Sequence, residues 1–327
     1  MDHIFIISTS HHLIQLISAV KYFDLKKEEI QIIVMCAPLN KKILEEDLKR
    51  LGFININIFE YWTFKEILKG KAKDFICFLK TIKKCRSLYV SQYSSDYSLL
   101  ANSILKPKSL YLLDEGTASF LVAKTRIQLS MINWRFIIKT ILYGEIISLP
   151  KKLIYYTQYD IENVNVNDQV VKYSFNKRYN SIEFDSASIL ILGSSIVEVE
   201  IVKKELYFKI LNDIKLYNCE KTFFYYPHRK ENETKLKEIA NLGITVLQTT
   251  EPFENYFEKL NTTSEVYYSF YSPVLDNLSK MYQNIPQLKV LKFNEFDLLK
   301  NHQIIEEIYS SYSKNKDIQI ININEIY

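Results

Sequence analysis

Ile4-Phe5-Ile6-Ile7, then Ser8-Thr9-Ser10-His11-His12, then a helical apolar pattern over residues 12–23: this opening stretch decides the fold class. A short apolar run predicts a buried strand, and the longer periodic segment after it predicts a helix. The same unit recurs along the chain. Strands are predicted at 31–35, 54–59, 88–91, 110–113 and 153–156, with a further helix at 41–51. In the second half they are predicted at 189–192, 222–226, 244–247, 266–268 and 290–293, with helices at 198–211, 233–242 and 304–313. Strands alternating with helices give an α/β protein built on parallel sheets.

The 327 residues suffice for two such domains. The polar stretch 158–188, with Asn163, Asn165, Asn167 and Asn180, has little helical periodicity and precedes a fresh strand. It sets an expected first domain at 1–165, a linker at 166–185 and a second domain at 186–327. Two α/β domains of this size imply a cleft between them, with ligands bound beyond the carboxyl ends of the strands.

Bulk properties exclude several classes. Hydrophobic residues make up 47% and charged residues 24%, so the chain is not disordered, and a net charge of +4 is too balanced for a nucleic-acid binder. Cys36, Cys77, Cys85 and Cys219 are scattered, and read as reduced thiols. With six glycines there is neither GxGxxG nor GxxxxGK[ST]. The start lacks a signal-peptide pattern, and no run of about 18 apolar residues occurs, so the expected location is the cytoplasm.

Polar residues follow the strands in a coherent set. Asp114-Glu115-Gly116-Thr117 follows the fifth predicted strand, Gly193-Ser194-Ser195 the first strand of the second half, and Pro227-His228-Arg229-Lys230-Glu231 the next. A loop reaches Glu251-Pro252-Phe253-Glu254, and Ser269-Phe270-Tyr271-Ser272 ends the strand beyond it. A carboxylate can take a proton from a sugar hydroxyl. A histidine beside an arginine can donate to a leaving phosphate. Serine hydroxyls and backbone N–H groups can hold phosphate oxygens, and Glu254 can accept from a ribose. Together these describe transfer from a nucleotide sugar.

The acidic segment resembles the D/E-D/E-G motif of bacterial sialyltransferases, and Tyr226-Pro227-His228-Arg229 their His-Pro-type motif, here with proline before histidine. Glu251–Glu254 and Ser269–Ser272 resemble the downstream ribose and phosphate segments. Glu254 lies 26 residues after His228, and Ser272 lies 18 after Glu254. The chain is most similar to the lipooligosaccharide and capsule sialyltransferases of glycosyltransferase family 52, over roughly residues 1–295. The resemblance implies a GT-B fold, two Rossmann-like domains facing each other across a cleft. It implies metal-independent, inverting transfer from CMP-sialic acid to a galactose-terminated glycan through an α-2,3 linkage, with no cofactor. Asp114 becomes the base, His228 the acid or hydrogen-bond donor to CMP, Glu254 the ribose ligand and Ser272 the phosphate ligand. Glu115, Gly116, Pro227 and Arg229 complete the implied site.

Plainer readings stand beside these. Asp114-Glu115-Gly116 forms turns readily, and Glu115 competes with Asp114 as base. His11 and His12 either start the first helix, with Ser10 as its cap, or one of them faces the donor sugar; Ser194 and Ser195 either cap a helix or touch the donor; Ser269 is also an ordinary strand-end hydroxyl. Residues 65–86 carry eight Lys or Arg side chains that suit a solvated helix face or an anionic membrane surface. Residues 132–147 suit core packing or the same surface. The expected partners are CMP-sialic acid and a glycan acceptor, not nucleic acid, with a homodimer and peripheral membrane contact left open. A polysialyltransferase, another GT-B glycosyltransferase, a nucleotide-sugar epimerase and a two-lobed sugar-binding protein are the alternatives.

Overall fold

A computed structural model of the chain describes residues 2–62, 66–67, 70–114, 118–128, 134–161, 164–174, 177–249 and 251–325, with residues 10, 11, 38–40, 43, 118, 127, 128, 134 and 135 described in their backbone only. The chain divides into two units, Met1–Ser174 and Phe175–Tyr327.

In the first unit, seven parallel strands run in the order β3-β2-β1-β4-β5-β6-β7: β1 (His3–Ile7), β2 (Ile30–Cys36), β3 (Ile56–Glu60), β4 (Ser87–Val90), β5 (Ser109–Leu113), β6 (Ile154–Thr157) and β7 (Gln169–Lys172). The helices are α1 (Ser10–Tyr22), α2 (Pro38–Arg50), α3 (Ala72–Thr81), α4 (Asp96–Leu105), α5 (Ala118–Gln128) and α6 (Trp134–Tyr143). β1 and β2 are buried along their whole length, which is why they carry the apolar runs 4–7 and 32–36.

Register puts Phe5 beside Tyr89 and Tyr89 beside Tyr111. Their rings stack with centroids 4.1 and 4.5 Å apart, and Phe23 from the end of α1 covers the row edge-on to Tyr111. Cross-strand aromatic pairs of this kind stabilise a sheet beyond their buried area. Of the 24 tyrosines, Tyr89, Tyr155 and Tyr156 are core residues of this unit, while Tyr22 and Tyr61 are exposed. Trp62 packs on Phe75 and donates its ring N–H to the Tyr143 hydroxyl at 3.2 Å.

The stretch expected as a linker is structured at both ends. β7 completes the first sheet and β8 begins at Glu183. Asp168, just before β7, receives both arms of the buried Arg126 guanidinium at 2.6 Å and the Leu153 N–H at 2.8 Å. Arg126 also donates to the Pro150 carbonyl at 3.2 Å and to the Tyr93 hydroxyl. One bidentate pair thus bolts α5, the β4 end and the approach to β6 onto the start of β7.

The second unit repeats the plan with six parallel strands in the order β10-β9-β8-β11-β12-β13: β8 (Glu183–Leu192), β9 (Thr222–Tyr226), β10 (Thr245–Val246), β11 (Thr262–Ser269), β12 (Gln287–Lys292) and β13 (Ile318–Asn322). Its helices are α7 (Lys204–Tyr217), α8 (Glu233–Asn241), α9 (Phe253–Phe257), α10 (Pro273–Met281) and α11 (His302–Ser313). α7 starts later than the predicted 198. Residues 198–200 form a turn, with Glu200 at φ 53° and the Ile201 N–H returned to the Ile196 carbonyl. In both sheets the chain steps outward through three strands, then restarts on the other side of the first. That reversal places a topological switch point between β1 and β4, and another between β8 and β11.

Candidate functional site

At the first switch point, α1 is capped by Thr9, not by Ser10; Ser10 and His11 are its first two residues. The buried His12 accepts the Ser8 and Thr9 N–H groups on Nδ1 at 3.1 and 3.2 Å, which leaves the ring proton on Nε2. Gln15 of the same helix donates its amide to the Asp114 carbonyl. The β1 turn is thereby tied to the end of β5.

Asp114 directly follows β5 as predicted, but its surroundings are not those of an open carboxylate. It is 1% exposed. Oδ2 accepts the Gln158 N–H at 2.7 Å and the Tyr173 hydroxyl at 3.2 Å, and Oδ1 accepts the Ser119 hydroxyl at 3.1 Å. Burial pushes its carboxyl up to about 6, while hydrogen bonds from Thr157, Gln158, Ser119 and Tyr173 pull the other way. The side chain therefore joins β5, α5, the end of β6 and the segment after β7. Glu115 and Gly116 lie outside the described residues.

In the second unit, Gly193-Ser194-Ser195 follows β8 at the switch point. A side chain at Gly193 would put its Cβ 2.3 Å from Glu231 Oε2 and 2.7 Å from the Tyr225 hydroxyl, so any larger residue requires those side chains to shift. Ser194 and Ser195 are half-buried, in a turn and not as a helix cap, because α7 begins only at Lys204. Ser269, the last residue of β11, is fully buried and donates to the Leu192 carbonyl at 3.0 Å, the place of a strand-end hydroxyl. Ser272 is half-buried and caps α10 by accepting the Val274 N–H at 3.3 Å.

Beside β8, β9 ends in Tyr226 and leads to Pro227, His228 and Arg229. His228 Nδ1 accepts the Lys230 N–H at 3.2 Å, so a neutral ring carries its proton on Nε2. Burial, with Arg229 and Lys230 nearby, depresses this histidine to about 4. It is a neutral N–H donor at physiological pH. Arg229 is exposed. The Tyr226 hydroxyl donates to the Glu251 carbonyl at 2.6 Å and its ring meets Phe253 edge-on, which brings the start of α9 against the β9 end. Glu254, on the first turn of α9, is 6% exposed and accepts from Asn277 of α10 at 2.7 Å. The Glu254 and Ser272 segments are thus linked through one helix.

Sequence reading overlooked three groups that build this ground: the Ser119, Gln158 and Tyr173 donors, Asn277, and the buried Lys235 that pairs with Glu231 at 2.6 Å. The last carried a signal, the i,i+4 spacing of opposite charges, which usually marks an exposed pair.

No protein-family model and no curated protein sequence matches the chain. Solved structures do. A Staphylococcus aureus MnaA–UDP structure aligns with TM-score 0.52 and 14% identity over 100% of this chain and 86% of that one. Arabidopsis thaliana UGT89C1 complexed with quercetin aligns with TM-score 0.52 and 13% identity over 99% and 86%. UDP-GlcNAc 2-epimerase from Neisseria meningitidis bound to UDP-GlcNAc aligns with TM-score 0.51 and 11% identity over 100% and 89%. At these identities the likeness establishes the fold: two Rossmann-like units of the GT-B type.

Proposed function

We propose that the chain is a GT-B glycosyltransferase whose second unit holds a nucleotide sugar and whose first unit supplies the proton acceptor. The observation that carries this reading is that Ser194, His228 and Ser272 follow the carboxyl ends of the adjacent strands β8, β9 and β11, at and beside the switch point, with Glu254 on α9 after β10. MnaA was solved with UDP and the Neisseria meningitidis epimerase with UDP-GlcNAc, which supports a nucleotide sugar as donor class. CMP-sialic acid as donor and a galactose-terminated acceptor are the finer reading, supported by the order and spacing of the four sequence motifs.

In this mechanism the acceptor hydroxyl attacks the anomeric carbon. The bond from that carbon to the nucleotide phosphate breaks, its electron pair going to the phosphate oxygen, and the hydroxyl proton passes to a carboxylate. His228 meets the phosphate as an Nε2–H donor rather than as a proton donor, since a ring depressed to about 4 holds no extra proton at pH 7. Asp114 suits the base role by its pKa near 6. To serve, it must exchange one of its longer hydrogen bonds, to Ser119 or Tyr173, for the substrate hydroxyl. Transfer is proposed to need no metal.

The test is incubation with CMP-sialic acid and with UDP-GlcNAc, each with labelled galactosides, followed by mass and linkage analysis. Sialylated product supports the finer reading. A second reading, epimerisation of a UDP-sugar, is favoured by the likeness to UDP-GlcNAc 2-epimerase; a changed UDP-sugar without acceptor would establish it and overturn the transfer.

A further inference from the structure

Lys235 is an oddly placed cation. It sits in the first turn of α8, where the helix dipole disfavours positive charge, and its side chain is 2% exposed. Its ammonium donates to the Ser194 carbonyl at 2.8 Å, pairs with Glu231 at 2.6 Å and with Glu198 at 3.5 Å, and lies 3.9 Å from the centre of the Tyr207 ring. Glu231, whose side chain is wholly buried, accepts the His228 N–H on its other oxygen at 2.7 Å and the Tyr225 hydroxyl beside Lys235. The His228 carbonyl in turn accepts the Glu231 N–H at 2.9 Å. The bare Cα of Gly193 lets this carboxylate press against the end of β8.

Stability does not explain such a pair. Two charges lose their hydration on burial, and replacing a buried ion pair by apolar groups is commonly neutral or stabilising. What the pair does accomplish is geometric: it reaches the loop after β8 through the Ser194 carbonyl and the loop after β9 through the His228 N–H. We infer that Lys235 and Glu231 are positioning residues that lock these two loops together as one preformed edge of the phosphate site, acting through Ser194 and His228. The inference rests on the nucleotide reading above.

Calorimetric titration of the full chain with CMP and with UDP tests it, together with thermal melts. The charge-free double variant Lys235→Met/Glu231→Gln should melt at or above the wild-type temperature, yet bind the preferred nucleotide about tenfold more weakly. Gly193→Ala, which changes no charge but drives a methyl into Glu231 and Tyr225, should weaken binding similarly; it decides the matter if the double variant fails to fold. Wild-type binding with both variants within about twofold of it overturns the positioning role and leaves the nucleotide reading intact. A wild type that binds neither nucleotide overturns both.

Discussion

Replacing Asp114 by asparagine removes a carboxyl that burial holds away from water. In the folded chain burial carries it from an ordinary 3.8 to about 6. Between those values the folded state holds a proton that the unfolded state has released. Asp114 therefore favours folding fully below pH 3.8, and that contribution is lost as pH rises through 6. The whole difference corresponds to about 3 kcal/mol, of which about 2.5 falls between pH 4 and pH 7. Asparagine does not titrate, so the stability of Asp114→Asn relative to wild type should rise by that amount over the same range. Taking the difference removes the opposite trend expected from His228, whose depression to about 4 makes folding more favourable as pH rises towards 6.5. Denaturant unfolding of both proteins at several pH values, followed by circular dichroism, gives the comparison. A difference that is flat with pH would refute the reasoning by showing that burial does not prevail. A difference that falls with pH would show that Gln158, Ser119, Tyr173 and Thr157 hold the ionised form more strongly than burial opposes it.

The remaining expectations are more direct. Arg126→Met should leave Asp168 buried without its partner and cost about 3–5 kcal/mol in denaturant unfolding, more than an exposed arginine would. The His228 ring should show constant NMR shifts as pH falls to about 5, and His228→Ala should weaken nucleotide binding while His228→Gln, which keeps an N–H donor, retains part of it. Glu254→Ala should lower nucleotide affinity by about 1.5–3 kcal/mol, and by the same amount with excess EDTA, as calorimetry would show. Peripheral membrane contact should run through α6 and the segment after it, where Ile137, Ile141 and Ile146 are 55%, 76% and 80% exposed; flotation should show binding to anionic and neutral vesicles alike that persists at high salt, because apolar contact is not screened.

Much of the fold was legible because a central parallel strand is buried on both faces and must be written as an apolar run, as residues 4–7 and 189–192 are. β7 was illegible for the converse reason. It is a short edge strand, Gln169-Val170-Val171-Lys172, held by a remote partner, Arg126. The strand-end positions of Asp114 and His228 followed from pattern, but their protonation did not. Asp114 is enclosed by donors 44 and 59 residues further along, and local sequence carries no trace of such neighbours. The lysines of residues 65–86 show the reverse. Lys71, Lys80 and Lys84 pair with Glu66, Glu145 and Asp2, while Phe75, Ile76 and Leu79 of α3 face inward, which favours the solvated-face reading. Lys65 and Lys69 lie outside the described residues. Among the described residues, no helix is long and apolar enough to cross a membrane.

Trp62, wedged on Phe75 and bonded to Tyr143, has an optical consequence. The chain has two tryptophans, Trp62 and Trp134, and both fall in the unit that ends at Ser174. Selective excitation of indole therefore reports on that unit alone, while the other absorbs through tyrosine and phenylalanine. A nucleotide captured by the second unit will shift indole emission only if the event is relayed to the first. Titration by heat measures the affinity; the same titration followed by emission measures the communication between the halves.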